Sequence, residues 1–83
     1  MPVITDKKIR YTVPQVITEP KDVTVYFRVS DVFKNAKINI YSNKGLILSK
    51  KKQRLAPGEM ETVNLKAEMI EGAGELRFEL EVL

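Results

Sequence analysis

The sequence predicts one small all-β domain, an antiparallel immunoglobulin-like or fibronectin-like β-sandwich of six or seven strands. Two alternating segments carry that prediction. From Asp22 to Ser30, Val23, Val25, Phe27 and Val29 alternate with Thr24, Tyr26, Arg28 and Ser30. Near the end of the chain, Leu76, Phe78, Leu80 and Val82 alternate with Arg77, Glu79 and Glu81. A period of two gives each strand one apolar face for a core and one polar face for water, the pattern of antiparallel sheets. Turn signals recur at about ten-residue spacing, which marks a sandwich or a small barrel. Stacking two sheets hides these apolar faces more readily than closing one, so the sandwich is favoured over an antiparallel barrel.

The remaining strands follow in chain order. Residues 1–8 read as a loose head, and residues 9–83 as the domain proper. Ile9 to Ile17 is β-branched and aromatic but contains Pro14, which cannot donate to a ladder; it is expected as an edge or bulged strand. Glu19-Pro20-Lys21 connects it to the Asp22–Ser30 strand, and Asp31 to Asn35 leads onward. Ala36, Ile38 and Ile40 alternate with Lys37, Asn39 and Tyr41; Ser42-Asn43-Lys44-Gly45 is a turn, and Leu46 to Ser49 returns as a hairpin. After Ala56 to Glu59, with its Pro57-Gly58 turn, Met60 to Ala67 places Val63, Leu65 and Ala67 on one face. The connection Glu68 to Gly74 is expected to begin with one helical turn at Glu68 to Ile70.

Eighty-three residues, 43% of them hydrophobic, suffice for a single core, near the lower size limit for unaided folding. A folded chain of this length is stable by roughly 5–8 kcal/mol. There is no cysteine and no histidine, so disulfides, thiolate or imidazole metal sites and a neutral-pH proton shuttle are all excluded. No apolar run approaches the roughly 20 residues needed for a spanning helix, and the first twenty residues lack an apolar signal core. An intracellular, cytoplasmic protein without membrane contact is expected. The net charge of +3 is unevenly placed: residues 1–58 carry twelve Lys/Arg against four Asp/Glu, and residues 59–83 two against seven. Folding the acidic part beside the basic part would neutralise much of the field, which disfavours a dedicated nucleic-acid surface.

The densest charge run is Lys50, Lys51, Lys52 and Arg54. It could grip phosphates or an acidic partner. The plainer reading is a solvated edge, where lysines also discourage strand-to-strand aggregation. That reading is favoured because single-strand binders need stacking aromatics beside the basic groove, and Tyr11, Tyr26 and Tyr41 are scattered elsewhere. Tyr26 and Tyr41 fall at outward positions and are candidate docking anchors, although a tyrosine on a strand also has good intrinsic β-propensity. Gly72-Ala73-Gly74 precedes a strand where a dinucleotide fingerprint needs a helix, so it reads as a turn. Glu79 and Glu81 read as outward, solvated acids; Glu59 and Glu61 share a face but have no second pair to hold a metal or a water. No catalytic residue, cofactor-binding residue or metal ligand is expected in this chain.

Three segments carry a family likeness: RYTVPQ (Arg10–Gln15), VYFRVSDVFKNAKI (Val25–Ile38) and LAPGEMETVNL (Leu55–Leu65). Through them the chain resembles the C-terminal extension of bacterial FAD- and NAD(P)-dependent oxidoreductases of the pyridine nucleotide–disulfide type. The resemblance implies a parent flavoenzyme that binds FAD and NAD(P) upstream, and a non-catalytic accessory domain here that contacts the parent's other domains or a partner subunit. The residues quoted are strand alternations and turns, so no cofactor-binding residue carries over. Met1-Pro2 leads quickly into a strand whose partners lie downstream, as expected of an excised piece. The alternatives are an independent interaction module of similar architecture and, less favoured, a basic small-barrel nucleic-acid binder.

Overall fold

Alternation becomes seven strands and one helical turn: β1 (Val3–Thr5), β2 (Ile9–Val13), β3 (Val23–Val29), β4 (Phe33–Ser42), β5 (Gly45–Leu55), β6 (Glu61–Leu65), α1 (Ala67–Ile70) and β7 (Leu76–Val82). The computed structural model describes residues 1–18 and 21–83; Glu19 and Pro20 of the expected Glu19-Pro20-Lys21 connection lie outside the described residues. Two sheets form, ordered β1-β7-β4-β5 and β2-β3-β6. They stack as a sandwich and do not close into a barrel. The ladders are antiparallel except between β1 and β7, which run parallel.

The apolar faces meet between the layers. Val25, Phe27 and Val29 of β3 and Val63 and Leu65 of β6 are buried from one side, Ala36, Ile38 and Ile40 of β4 and Leu76, Phe78 and Leu80 of β7 from the other. At the centre the Phe27 and Phe78 rings stand edge to face, centroids 5.9 Å apart at 70°, an arrangement that sets a positive ring edge on a negative face. Val23 is half-buried, and Val82, expected inside, is 51% exposed at the last position of its strand.

Several boundaries depart from the alternation. β2 stops at Val13 rather than Ile17, because Pro14 has no donor for the ladder; the Val13–Pro14 peptide is cis. β4 starts at Phe33, so Phe33 to Asn35, expected in a connection, belong to the strand. Asn35 has a left-handed backbone (φ 52°), which asparagine tolerates better than most residues. β5 runs past Ser49, through the lysines, to Leu55. Its turn needs Gly45, whose φ is +117°. β6 ends at Leu65, and Ala67, expected on its inner face, instead opens α1, the single helical turn anticipated nearby.

The loose head expected over residues 1–8 is corrected: it contains β1 and the pivot between the sheets. Val3–Thr5 lies beside Leu76–Phe78, while the amides of Val3 and Ile17 donate to the carbonyls of Gln15 and Met1. One short segment therefore joins both layers along this side. Asp6 then fixes the crossing. Its Oδ2 accepts from the Leu80 amide and its Oδ1 from the Lys8 amide, both at 2.8 Å. The carboxylate takes over a β7 donor that β1 can no longer meet.

The opposite side is closed by side chains. Lys50 and Lys52 stand opposite Ile38 and Ala36 on the inner side of β5. Lys50 Nζ donates to the Thr62 carbonyl at 3.2 Å, and Lys52 Nζ lies 3.1 Å from Oε1 of Glu61, a buried carboxylate. Arg54 and Glu59 form a looser, exposed pair at 3.9 Å. Among the described residues no buried side-chain nitrogen or oxygen lacks a hydrogen-bond partner.

Phe27→Ala and Phe78→Ala should each cost about 3–5 kcal/mol in urea unfolding, whereas Tyr26→Ala should change stability by no more than about 0.5 kcal/mol. Equal losses at all three positions would contradict the assignment of faces. Lys52→Met should cost about 1–3 kcal/mol, since it leaves the Glu61 carboxylate buried without its cation. Adding Glu61→Gln should restore most of that loss. A double variant as unstable as the sum of its singles would mean the two groups do not interact.

Candidate docking surfaces

A bulge between Ile9 and Tyr11 decides what the three-stranded sheet shows to solvent. Strict alternation would turn Ile9, Tyr11 and Val13 the same way. With one residue extra, Ile9 and Thr12 face the core, while Tyr11 (39% exposed) and Val13 (52%) face outward. Val13 sits opposite Tyr26 and Tyr11 opposite Arg28; on the other side of β3, Thr62 stands opposite Tyr26. Tyr26 is 43% exposed. Tyr11, Val13 and Tyr26 thus form one apolar and aromatic cluster on the outer face. Arg28 borders it, held in place as its Nη1 donates to the carbonyls of Pro57 (3.3 Å) and Gly58 (3.2 Å).

Tyr41, the other expected anchor, lies on the outer face of the opposite sheet, so it cannot share a contact with Tyr26. It stands opposite Arg77 and lines a shallow polar concavity with Asn43, Glu75 and Glu79. Its surroundings are polar and charged. Tyr11 and Val13 were not expected in the site; their outward aim depends on the bulge.

The basic run is divided by its strand. Lys50 and Lys52 cross to β6, Arg54 pairs with Glu59, and Lys51 alone points to the outer face, directly opposite Lys37. Glu79 is half-buried and Glu81 exposed, both on the outer side of β7.

A further concavity lies between the start of β3 and α1, lined by Asp22, Lys66, Ala67, Glu68, Glu71 and Gly72. Asp22 accepts from the Ala67 amide at 2.8 Å; that bond, with Lys66 3.5 Å away, holds its carboxyl below the ordinary carboxylate range. The bond fastens the start of α1 to β3. Among the described residues, no three His, Cys, Asp or Glu side chains gather to hold a metal ion, and no helix is long and apolar enough to cross a membrane. No family model, curated protein or solved structure matches this chain.

Proposed function

We propose that this domain is a non-catalytic docking module. Its partner is the body, or a partner subunit, of the cytoplasmic FAD- and NAD(P)-dependent oxidoreductase implied by the resemblance. The observation that supports docking is the cluster of Tyr11, Val13 and Tyr26 on one outer sheet face. Tyrosines anchor interfaces well: they offer large apolar area, lose only two side-chain torsions, and keep a hydroxyl for a rim hydrogen bond. A rigid sheet also holds them in place before contact, so little entropy is lost on binding. The flavoenzyme parent rests on the quoted sequence segments alone.

The coding sequence upstream should encode a G-x-G-x-x-G strand–turn–helix segment. The upstream protein body, produced separately and added to this domain labelled with nitrogen-15, should shift the amides of Tyr11, Val13, Tyr26 and Thr62. Tyr11→Ser with Tyr26→Ser should weaken that association at least about 30-fold, the effect of losing a strong anchor, with the thermal melt little changed. An upstream sequence without nucleotide-binding segments would remove the flavoenzyme parent. Shifts confined to other surfaces would remove the aromatic face as the docking site.

A further inference from the structure

The longest strand, β5, is paired on one side only. Gly45–Leu55 follows β4 along its length, and among the described residues no strand lies on its other edge. A free edge offers a row of backbone donors and acceptors ready for another strand. What the edge carries decides which strand could use it.

No Asp or Glu occurs between Val32 and Gly58, while Lys50, Lys51, Lys52 and Arg54 all lie on β5. Lys50 and Lys52 are committed to β6, and Arg54 to Glu59. Lys51 is different. Across the sheet the outer row reads Glu81 on β7, Lys37 on β4, then Lys51 on β5. Glu81 lies beside Lys37 but two strands away from Lys51, so two like charges stand directly opposite each other, an arrangement that disfavours pairing. The next place in the row, beyond Lys51, is vacant. A carboxylate there would extend the row to acid, base, base, acid. Nearer the turn, Leu46 is exposed and Ile47 and Leu48 are half-buried, giving the same edge an apolar end.

We propose that the β5 edge accepts an extended acidic segment of a partner protein as an added strand, with an Asp or Glu beside Lys51. Backbone hydrogen bonds to the edge would supply affinity, and the charge row would supply register and selectivity. A second copy of this chain is a poor occupant, because antiparallel pairing of two β5 strands about the basic run sets lysine against lysine. A single nucleic-acid strand is poorly served too, since no aromatic ring lies beside the lysines: Tyr41, on the neighbouring β4, stands opposite Leu46 at the turn end of β5. This edge belongs to the four-stranded sheet and the Tyr11–Tyr26 cluster to the other, so either surface can fail without the other.

The test uses the whole chain labelled with nitrogen-15 and a short capped peptide of alternating Glu and Val. Binding should slow hydrogen exchange at alternate amides of Gly45–Leu55 and should weaken as salt rises. Lys51→Glu should reduce affinity by about fivefold and should leave the fold intact, because it also relieves the Lys37–Lys51 repulsion. A proline placed mid-peptide should abolish binding. The proposal is overturned by any of four results: no protection along β5, equal binding of a Lys-Val peptide, pairing of the chain with itself through β5, or a deoxythymidine strand occupying the edge in place of the acidic peptide.

Discussion

Phe27 and Phe78 meet where the two layers have to become one structure. Each ring is the largest side chain on the inner face of its strand, and both are buried. Their contact fixes the distance between the sheets at the centre, so the smaller residues around them can fill the space without rearranging. Ile38, Ile40, Leu65 and Leu76 all sit at essentially zero exposure within that layer. A chain of this size has one such layer and no second core to fall back on. The outward positions of β3 and β7 follow from the phase that these two rings set.

The two open sides of the sandwich are closed by different means. Along β1 and β2 the closure is backbone to backbone, with the first residues hydrogen-bonded to both layers and Asp6 satisfying the donor left at the crossing. Along β5 and β6 the gap is spanned by lysine side chains reaching the Thr62 carbonyl and Glu61. Long flexible side chains bridge a gap that backbone groups cannot reach, and their aliphatic stems cover apolar surface on the way. The second side is closed without backbone pairing, and among the described residues the edge of β5 carries no partner strand. The basic edge of the long sheet lies on that second side, while the aromatic face of the short sheet comes from the bulge in β2.

The core was legible in the residues because β3 and β7 keep strict alternation, and Ala36, Ile38 and Ile40 keep it in β4. The parity of Val63 and Leu65 also assigns Glu61 to the inner face, where it is found, although a carboxylate there is not evidently buried until a cation arrives from β5. Other features needed the folded chain. β1 has three residues and no readable period, and its parallel partner lies more than seventy positions away. The lysines of β5 read as a solvated edge, but the alternation ends at Ser49 and only the ladder with β4 carries the strand through them to Leu55. The outward turn of Tyr11 and Val13 depends on one extra residue in β2. Pro14 hinted at an irregular strand but could not say on which residue the irregularity would fall.

Charge segregation along the chain has a physical outcome that net charge conceals. The basic first part and acidic last part are brought together as Lys52–Glu61 and Arg54–Glu59, with Lys37 beside Glu81 in the sheet, while Arg77–Glu75 is local to the acidic part. Part of the field is taken up in these short pairs, which are worth little individually at the surface. On the outer row of the four-stranded sheet two cations are left side by side, where Lys37 and Lys51 face each other. A diffuse positive surface attracts any polyanion; a cationic position of defined register on a strand edge discriminates by geometry. Lys51 is a position of the second kind, because the ladder sets it opposite Lys37 on the last strand of the sheet.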